Sequence, residues 1–148
     1  MSLYLPTELR QQLLAADDHR CAYCQTAQAN SGYPMVVDHI VPRKKGGLTE
    51  FDNLCFACHR CNEFKGATTE LEDPLTNEVA PLYHPRQQQW ADHFTWDEAG
   101  IQITGLTAIG RVTIIALKVN NEIMVNARQN WVNAGLHPVD HRPQNHEP

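Results

Sequence analysis

The chain lacks an excess of basic charge: 12 Lys and Arg stand against 17 Asp and Glu, a formal net charge of −5. That balance argues against a protein held to nucleic acid by a global basic field. It also lacks a long apolar run. The most apolar stretch, Val112 to Leu117, ends at Lys118 and is far too short to cross a bilayer. The opening segment MSLYLPTELRQQLL interrupts its apolar residues with Glu8 and Arg10, so no secretory signal is expected. No internal repeat is present. Five cysteines in such a chain do not read as a secreted disulfide scaffold, and a reducing, cytoplasmic setting with no membrane partner is expected.

Where the acid lies matters more than its sum. Residues 67–100 carry Glu70, Glu72, Asp73, Glu78, Asp92, Asp97 and Glu98 against Arg86 alone. Residues 36–66 carry Arg43, Lys44, Lys45, Arg60 and Lys65 against Asp38, Glu50, Asp52 and Glu63, a stretch that is neutral to basic. At 148 residues the chain is one domain's worth, with room for a small module and an extension.

The cysteines fall into two C-x-x-C pairs, Cys21-Ala22-Tyr23-Cys24 and Cys58-His59-Arg60-Cys61. Four thiols so paired close a tetrahedral zinc site with no open position, which makes the Zn²⁺ a structural staple. A module this small buries too little surface to do without one. A redox dithiol is the alternative, but that chemistry needs one pair at a helix N-terminus, not two. Cys55 is the odd thiol, outside both pairs.

Residues 7–16 read as a helix with Thr7 as N-cap and Leu9 and Leu13 on one face. Tyr33 to Val41 reads as a strand, Pro42 to Gly47 as a basic loop, and Glu50 to Phe56 as a returning strand. The second cysteine pair then opens a helix to Lys65, ended by Gly66. Residues 67–89, with Pro74, Pro81 and Pro85, read as an extended acidic connector. In residues 90–136 a hairpin from His93–Trp96 to Ile101–Thr104 precedes two helices. The first is capped by Thr107 with Ile109, Val112, Ala116 and Val119 on one stripe; the second bears Met124, Ala127, Trp131 and Ala134 and ends at Gly135. Residues 137–148 are polar and expected to be disordered.

Between the cysteine pairs runs MVVDHIVPRKKGGLTEFDNLCFACHRCNEFKG, which with those pairs resembles the HNH endonuclease family. The resemblance covers residues 3–66 and implies an α+β protein: a zinc-stapled ββα-metal (His-Me finger) module in residues 1–66, followed by the hairpin-plus-helices extension. It implies a metal-dependent DNA endonuclease that hydrolyses phosphodiester bonds, nicking unless two copies associate as a homodimer. His39 matches the general base, Asp38 and Asn62 the ligands of a catalytic Mg²⁺ or Mn²⁺, and Asn53 the residue that ties the inter-strand loop and orients His39. Cys21, Cys24, Cys58 and Cys61 take the structural zinc. Lys65, one turn beyond Asn62, is placed to meet phosphate, and Arg43, Lys44 and Arg60 to contact the DNA backbone.

Two features set geometric conditions on that reading. In an ideal strand Asp38 and His39 point to opposite faces, so both enter one site only if the backbone departs from strand geometry. Asn62 stands where many family members have His, giving an H-N-N variant with a harder, neutral ligand. Residues 82–138 resemble an extension seen on HNH proteins, with its His-Pro-Arg start and Gly-Leu-His-Pro end. The rival reading is a zinc-stabilised DNA-binding or interaction module whose nuclease site is silent.

Overall fold

A computed structural model describes residues 5–137. All but the first residue of the expected disordered tail, 137–148, lies outside that range. Helix α1, Thr7–Ala16, turns the fully buried Leu13 into the core. Its cap is Pro6, not Thr7: Pro6 is extended and its carbonyl accepts the first helical bond from the Arg10 N–H at 3.0 Å, which makes Thr7 the first residue inside the helix. The first cysteine pair follows, then a short α2, Gln28–Ser31, and strand β1, Val36–His39.

β1 pairs antiparallel with β2, Leu54–Ala57, in the register Val36↔Ala57, Val37↔Phe56, Asp38↔Cys55 and His39↔Leu54. Both strands are shorter than their sequence patterns promise. Pro34 has no N–H to give a ladder, and Tyr33 is exposed beside it. At the other end residues Phe51–Asn53 coil into a 3-10 turn instead of joining β2. All four β2 residues are buried, so the strand has no solvent face. Helix α3, His59–Lys65, follows β2 and stops at Gly66, whose φ of 51° no β-branched residue would adopt at low cost. Strand, loop, strand, helix is thus the observed order, within an α+β architecture of three two-stranded sheets and six helices among the described residues.

The expected extended connector contains a hairpin, β3 (Glu70–Glu72) with β4 (Val79–Pro81). Asp73 organises its turn. Its carboxylate accepts from the Leu75 N–H and the Thr76 hydroxyl, and its backbone exchanges bonds with Asn77 and Glu78. The Arg111 guanidinium then grips both oxygens, at 2.9 and 2.8 Å. Helix α4, Trp90–His93, leads into β5 (Phe94–Trp96), which pairs with β6 (Ile103–Gly105).

Helix α5, Ala108–Leu117, is capped by the Thr107 hydroxyl and buries Val112, Thr113 and Leu117. Helix α6, Glu122–Asn133, departs from its apolar stripe: Met124, Ala127 and Trp131 are only half-buried, Ala134 is exposed, and the fully buried residue is Arg128. The Arg128 guanidinium donates to the carbonyls of Ile101 and Val119 and lies over the Trp96 ring, so its charge is enclosed by backbone oxygen and an aromatic face. No helix among the described residues is long and apolar enough to cross a membrane.

The two halves of the chain share packed contacts. Arg86 donates from Nε to the Leu54 carbonyl at 2.8 Å, pairs with Asp17 at 2.7 Å and stacks over Phe51. Trp90 Nε1 donates to the Tyr23 carbonyl at 2.8 Å. Residues 83–90 therefore brace the loop between the first cysteines and the start of β2.

Candidate functional site

The four cysteines meet in space as their spacing implies. The Sγ atoms of Cys21, Cys24, Cys58 and Cys61 lie within 4.8 Å of one another, with Cys24 and Cys58 3.8 Å apart. A tetrahedron of thiolates at ~2.3 Å from zinc puts its sulfurs ~3.8 Å apart, so the group fits that metal. Each pair is wrapped by its own backbone: the Cys24 N–H points to Cys21 Sγ and the Cys61 N–H to Cys58 Sγ, both at 3.4 Å. Hydrogen bonds from the other three thiols push the Cys24 thiol well down, while burial pushes Cys21 up and hydrogen bonding with the same neighbours pushes Cys61 up. Four buried sulfurs cannot all ionise without a cation, which is the condition a bound metal relieves. Cys55 faces elsewhere, fully buried with its Sγ 3.9 Å from Asp38.

Asn53 sits at the end of the 3-10 turn and is buried. Its Oδ1 accepts from the Val41 N–H at 2.9 Å, and its Nδ2 donates to the carbonyls of Val41 and Leu48 at 3.0 and 2.9 Å. One side chain thereby satisfies three backbone groups of the basic loop, doing what a longer ladder would have done. Gly47 is essential to that closure, since a Cβ there would collide with the Val41 carbonyl and the Asn53 amide. The loop presents Arg43, Lys44 and Lys45, all exposed, on a 3-10 turn ended by Gly46 at φ 93°. Arg60 is not with them. It lies on the side of α3 that faces α6, lining a groove of about 440 Å³ with Tyr33, Phe64 and Trp131.

β1 remains paired through Asp38 and His39, so the backbone departure that would swing both into one site is not present. His39 is half-buried, and its Nε2 lies 2.9 Å from the Thr49 hydroxyl. Partial burial, then the charge of Arg43, lower its pKa from the ordinary histidine value despite the opposing pull of Asp38, which favours the uncharged ring. Asp38 is 4% exposed. Its Oδ2 accepts from the Tyr23 hydroxyl at 2.7 Å and pairs with Lys65 Nζ at 3.2 Å. Burial raises the Asp38 pKa, with the Lys65 charge and the Tyr23 hydrogen bond opposing it.

Lys65 corrects the sequence reading. Expected at the surface against phosphate, it is 1% exposed, and its ammonium contacts Asp38 Oδ1 at 3.4 Å and the carbonyls of His39 and Ile40 at 3.1 and 3.0 Å. An aliphatic stem long enough to cross α3 and a carboxylate waiting under β1 draw it inward. Asn62 is half-buried, and its carboxamide has no hydrogen-bond partner among the described residues. The expected ligand pair is therefore unequal. Asn62 offers a free oxygen, whereas Asp38 is enclosed and engaged by an ammonium, so this arrangement does not fit a divalent ion at Asp38.

Tyr23, Thr49, Arg86 and Trp90 are the residues around the site that sequence reasoning missed. Tyr23 lies inside the first C-x-x-C, a position whose closeness to Asp38 no local pattern signals.

Residues 21–68 match the family model described as HNH endonuclease. Over 60 residues the chain is 43% identical to the CRISPR-associated endonuclease Cas9 of Corynebacterium diphtheriae, a stretch that is 40% of this chain and 5% of that protein. No solved structure matches the chain. The match falls on the segment that holds the four-cysteine cluster, and that cluster with its strand–loop–strand–helix order agrees with the ββα-metal fold.

Proposed function

We propose that the HNH domain of residues 21–68 hydrolyses phosphodiester bonds in DNA, with His39 as the general base that takes a proton from the attacking water. The observation that carries this reading is the placement of His39: a half-buried imidazole at the end of β1, held by Thr49 at 2.9 Å, with partial burial lowering its pKa from the ordinary histidine value. A base must be unprotonated at working pH and within reach of solvent, and the lowered pKa and half-burial of His39 favour both. Arg43 acts on it electrostatically, and the exposed turn of Arg43 and Lys44 gives a surface suited to a phosphate backbone, with the overall charge of −5 making that binding weak and salt-sensitive. Arg60, across α3, would meet only a strand that wraps that helix. Asn53 keeps the loop that carries these cations closed, and so supports His39 indirectly.

Zn²⁺ in the four-cysteine cluster ties the α3 N-terminus to the first knuckle and adds folding free energy. A catalytic Mg²⁺ or Mn²⁺ would supply Lewis-acid polarisation of the phosphate when bound, and Asn62 has the free oxygen for it. Asp38 as folded here does not, and the chemistry that the remaining residues support is proton transfer at His39. One such site cuts one strand, so the product is a nick unless two copies act together.

The engagement of Asp38 by Lys65 is the observation that favours the rival, a zinc-stabilised DNA-binding module with a silent site. Both readings meet the same experiment. The purified chain is incubated with supercoiled plasmid with and without Mg²⁺ or Mn²⁺. Conversion to open circles only with added ion supports the nuclease; retarded but uncut plasmid supports the rival.

A further inference from the structure

The ammonium of Lys65 lies in a cage made entirely of oxygen: both carboxylate oxygens of Asp38 and the carbonyls of His39 and Ile40, at 3.0 to 3.4 Å. A carboxylate with backbone carbonyls is the donor set a hard cation takes. Its present occupant is the end of a side chain from the helix that also carries Asn62. We propose that Lys65 is the resident cation of this cage and that a divalent ion binds at Asp38 only by displacing its ammonium. The proposal rests on reading Asp38 as a ligand of the catalytic ion.

Distances decide that the two cannot share the cage. A Mg²⁺ ion draws its oxygens to ~2.1 Å, far inside the present contacts, and would stand beside an ammonium with which it repels. The Asp38 carboxylate has few ways to serve both, because Tyr23 already takes one direction on Oδ2. Displacement is feasible because Lys65 hangs on a flexible four-carbon stem near the end of α3, one residue before Gly66. The consequence is a threshold: the free chain holds its carboxylate neutralised, and ion affinity is what remains after the ammonium is expelled.

The test measures Mn²⁺ binding by calorimetry on the full chain with zinc at the cysteines. Lys65→Met keeps the length and apolar stem while removing the charge, and it should bind Mn²⁺ about tenfold tighter or more than the wild type. The double variant Asp38→Asn with Lys65→Met should lose that gain. A Lys65→Met protein that binds Mn²⁺ no better than the wild type overturns the proposal. Should that variant fail to fold, acetylation footprinting of the wild type replaces it: Mn²⁺ should speed labelling of Lys65 relative to Lys44 and Lys45, and unchanged labelling of Lys65 at saturating Mn²⁺ overturns displacement. Plasmid cleavage is read separately. A wild type that cuts nothing at any Mn²⁺ concentration removes the nuclease reading, while a tighter-binding Lys65→Met still supports displacement.

Discussion

The Tyr23 hydroxyl donates to Asp38 Oδ2 at 2.7 Å, and this one bond joins the first cysteine knuckle to the strand that carries the candidate active site. Tyr23 stands between Cys21 and Cys24, so whatever orders those thiols also places its ring. Trp90 Nε1 in turn donates to the Tyr23 carbonyl. The cysteine cluster, the Asp38 carboxylate and residues 83–90 consequently form one connected support.

Tyr23→Phe removes that bond and little else. Both groups are buried, so Asp38 loses a donor it cannot replace from water, and the fold should weaken by about 1–3 kcal/mol. Urea denaturation beside zinc analysis is the check. Equal midpoints for the two proteins would show that the hydroxyl contributes nothing.

His39→Ala should slow plasmid nicking by roughly 10²–10⁴-fold while the zinc content and melting temperature stay near wild type, because it removes the base and no structural ligand. Among the described residues the His39 side chain hydrogen-bonds only to Thr49. Undiminished nicking by the purified variant would falsify its role as base.

Asn62→Ala should nearly eliminate ion-dependent cleavage, because a methyl group cannot ligate a metal. Asn62→His should keep it and shift the preferred ion toward softer metals such as Ni²⁺ or Zn²⁺, for which imidazole is the better donor. Rates over a series of divalent ions distinguish the two. If the Ala variant cuts as fast as wild type at limiting Mg²⁺, the free carboxamide of Asn62 plays no part in holding the ion.

Cys21→Ser or Cys61→Ser should destabilise the module severely, since each removes one of four buried ligands. Cys55→Ser should fold and keep its zinc, as its thiol lies outside the cluster. Elemental analysis finding no zinc in the wild type would remove the first expectation.

Arg111, with Thr76 and the Leu75 N–H also contributing, holds Asp73 well below the usual carboxylate range. A folded pKa below the unfolded one stabilises the native state fully above the unfolded value of ~3.9, and that contribution is lost as pH falls through the folded pKa. Asp73→Asn should therefore cost stability at neutral pH and narrow its distance from wild type as the solution is acidified. Melting curves of both proteins from about pH 7 to about pH 2 test this. A constant difference across that range would contradict it.

Local rules made several elements legible. Cysteine spacing predicts the four-sulfur cluster because two C-x-x-C turns each present a preformed pair, and the β1–β2 hairpin between them brings the second pair back to the first. Thr107 as a cap and the glycines at 46, 66 and 135 were readable because capping and positive φ are decided by one residue and its nearest neighbours. The β3–β4 hairpin was hidden for the opposite reason. Its turn depends on Asp73, and Asp73 is held by Arg111, 38 residues further on.

The sequence by itself determined which chemistry is present: four zinc-type thiols, an Asp-His step, two asparagines and a basic turn at HNH spacing. Side-chain type and short-range spacing are local properties, and they survive without knowledge of the fold. Only the tertiary structure decided what each group faces. It turned Lys65 from a surface contact into the counter-ion of Asp38, and Arg128 from a polar helix residue into a core one. It kept β1 regular where a shared Asp38–His39 site would bend it. Burial and ion pairing depend on elements packed from distant parts of the chain, and a long side chain such as lysine or arginine can satisfy either solvent or an interior cage until that packing chooses.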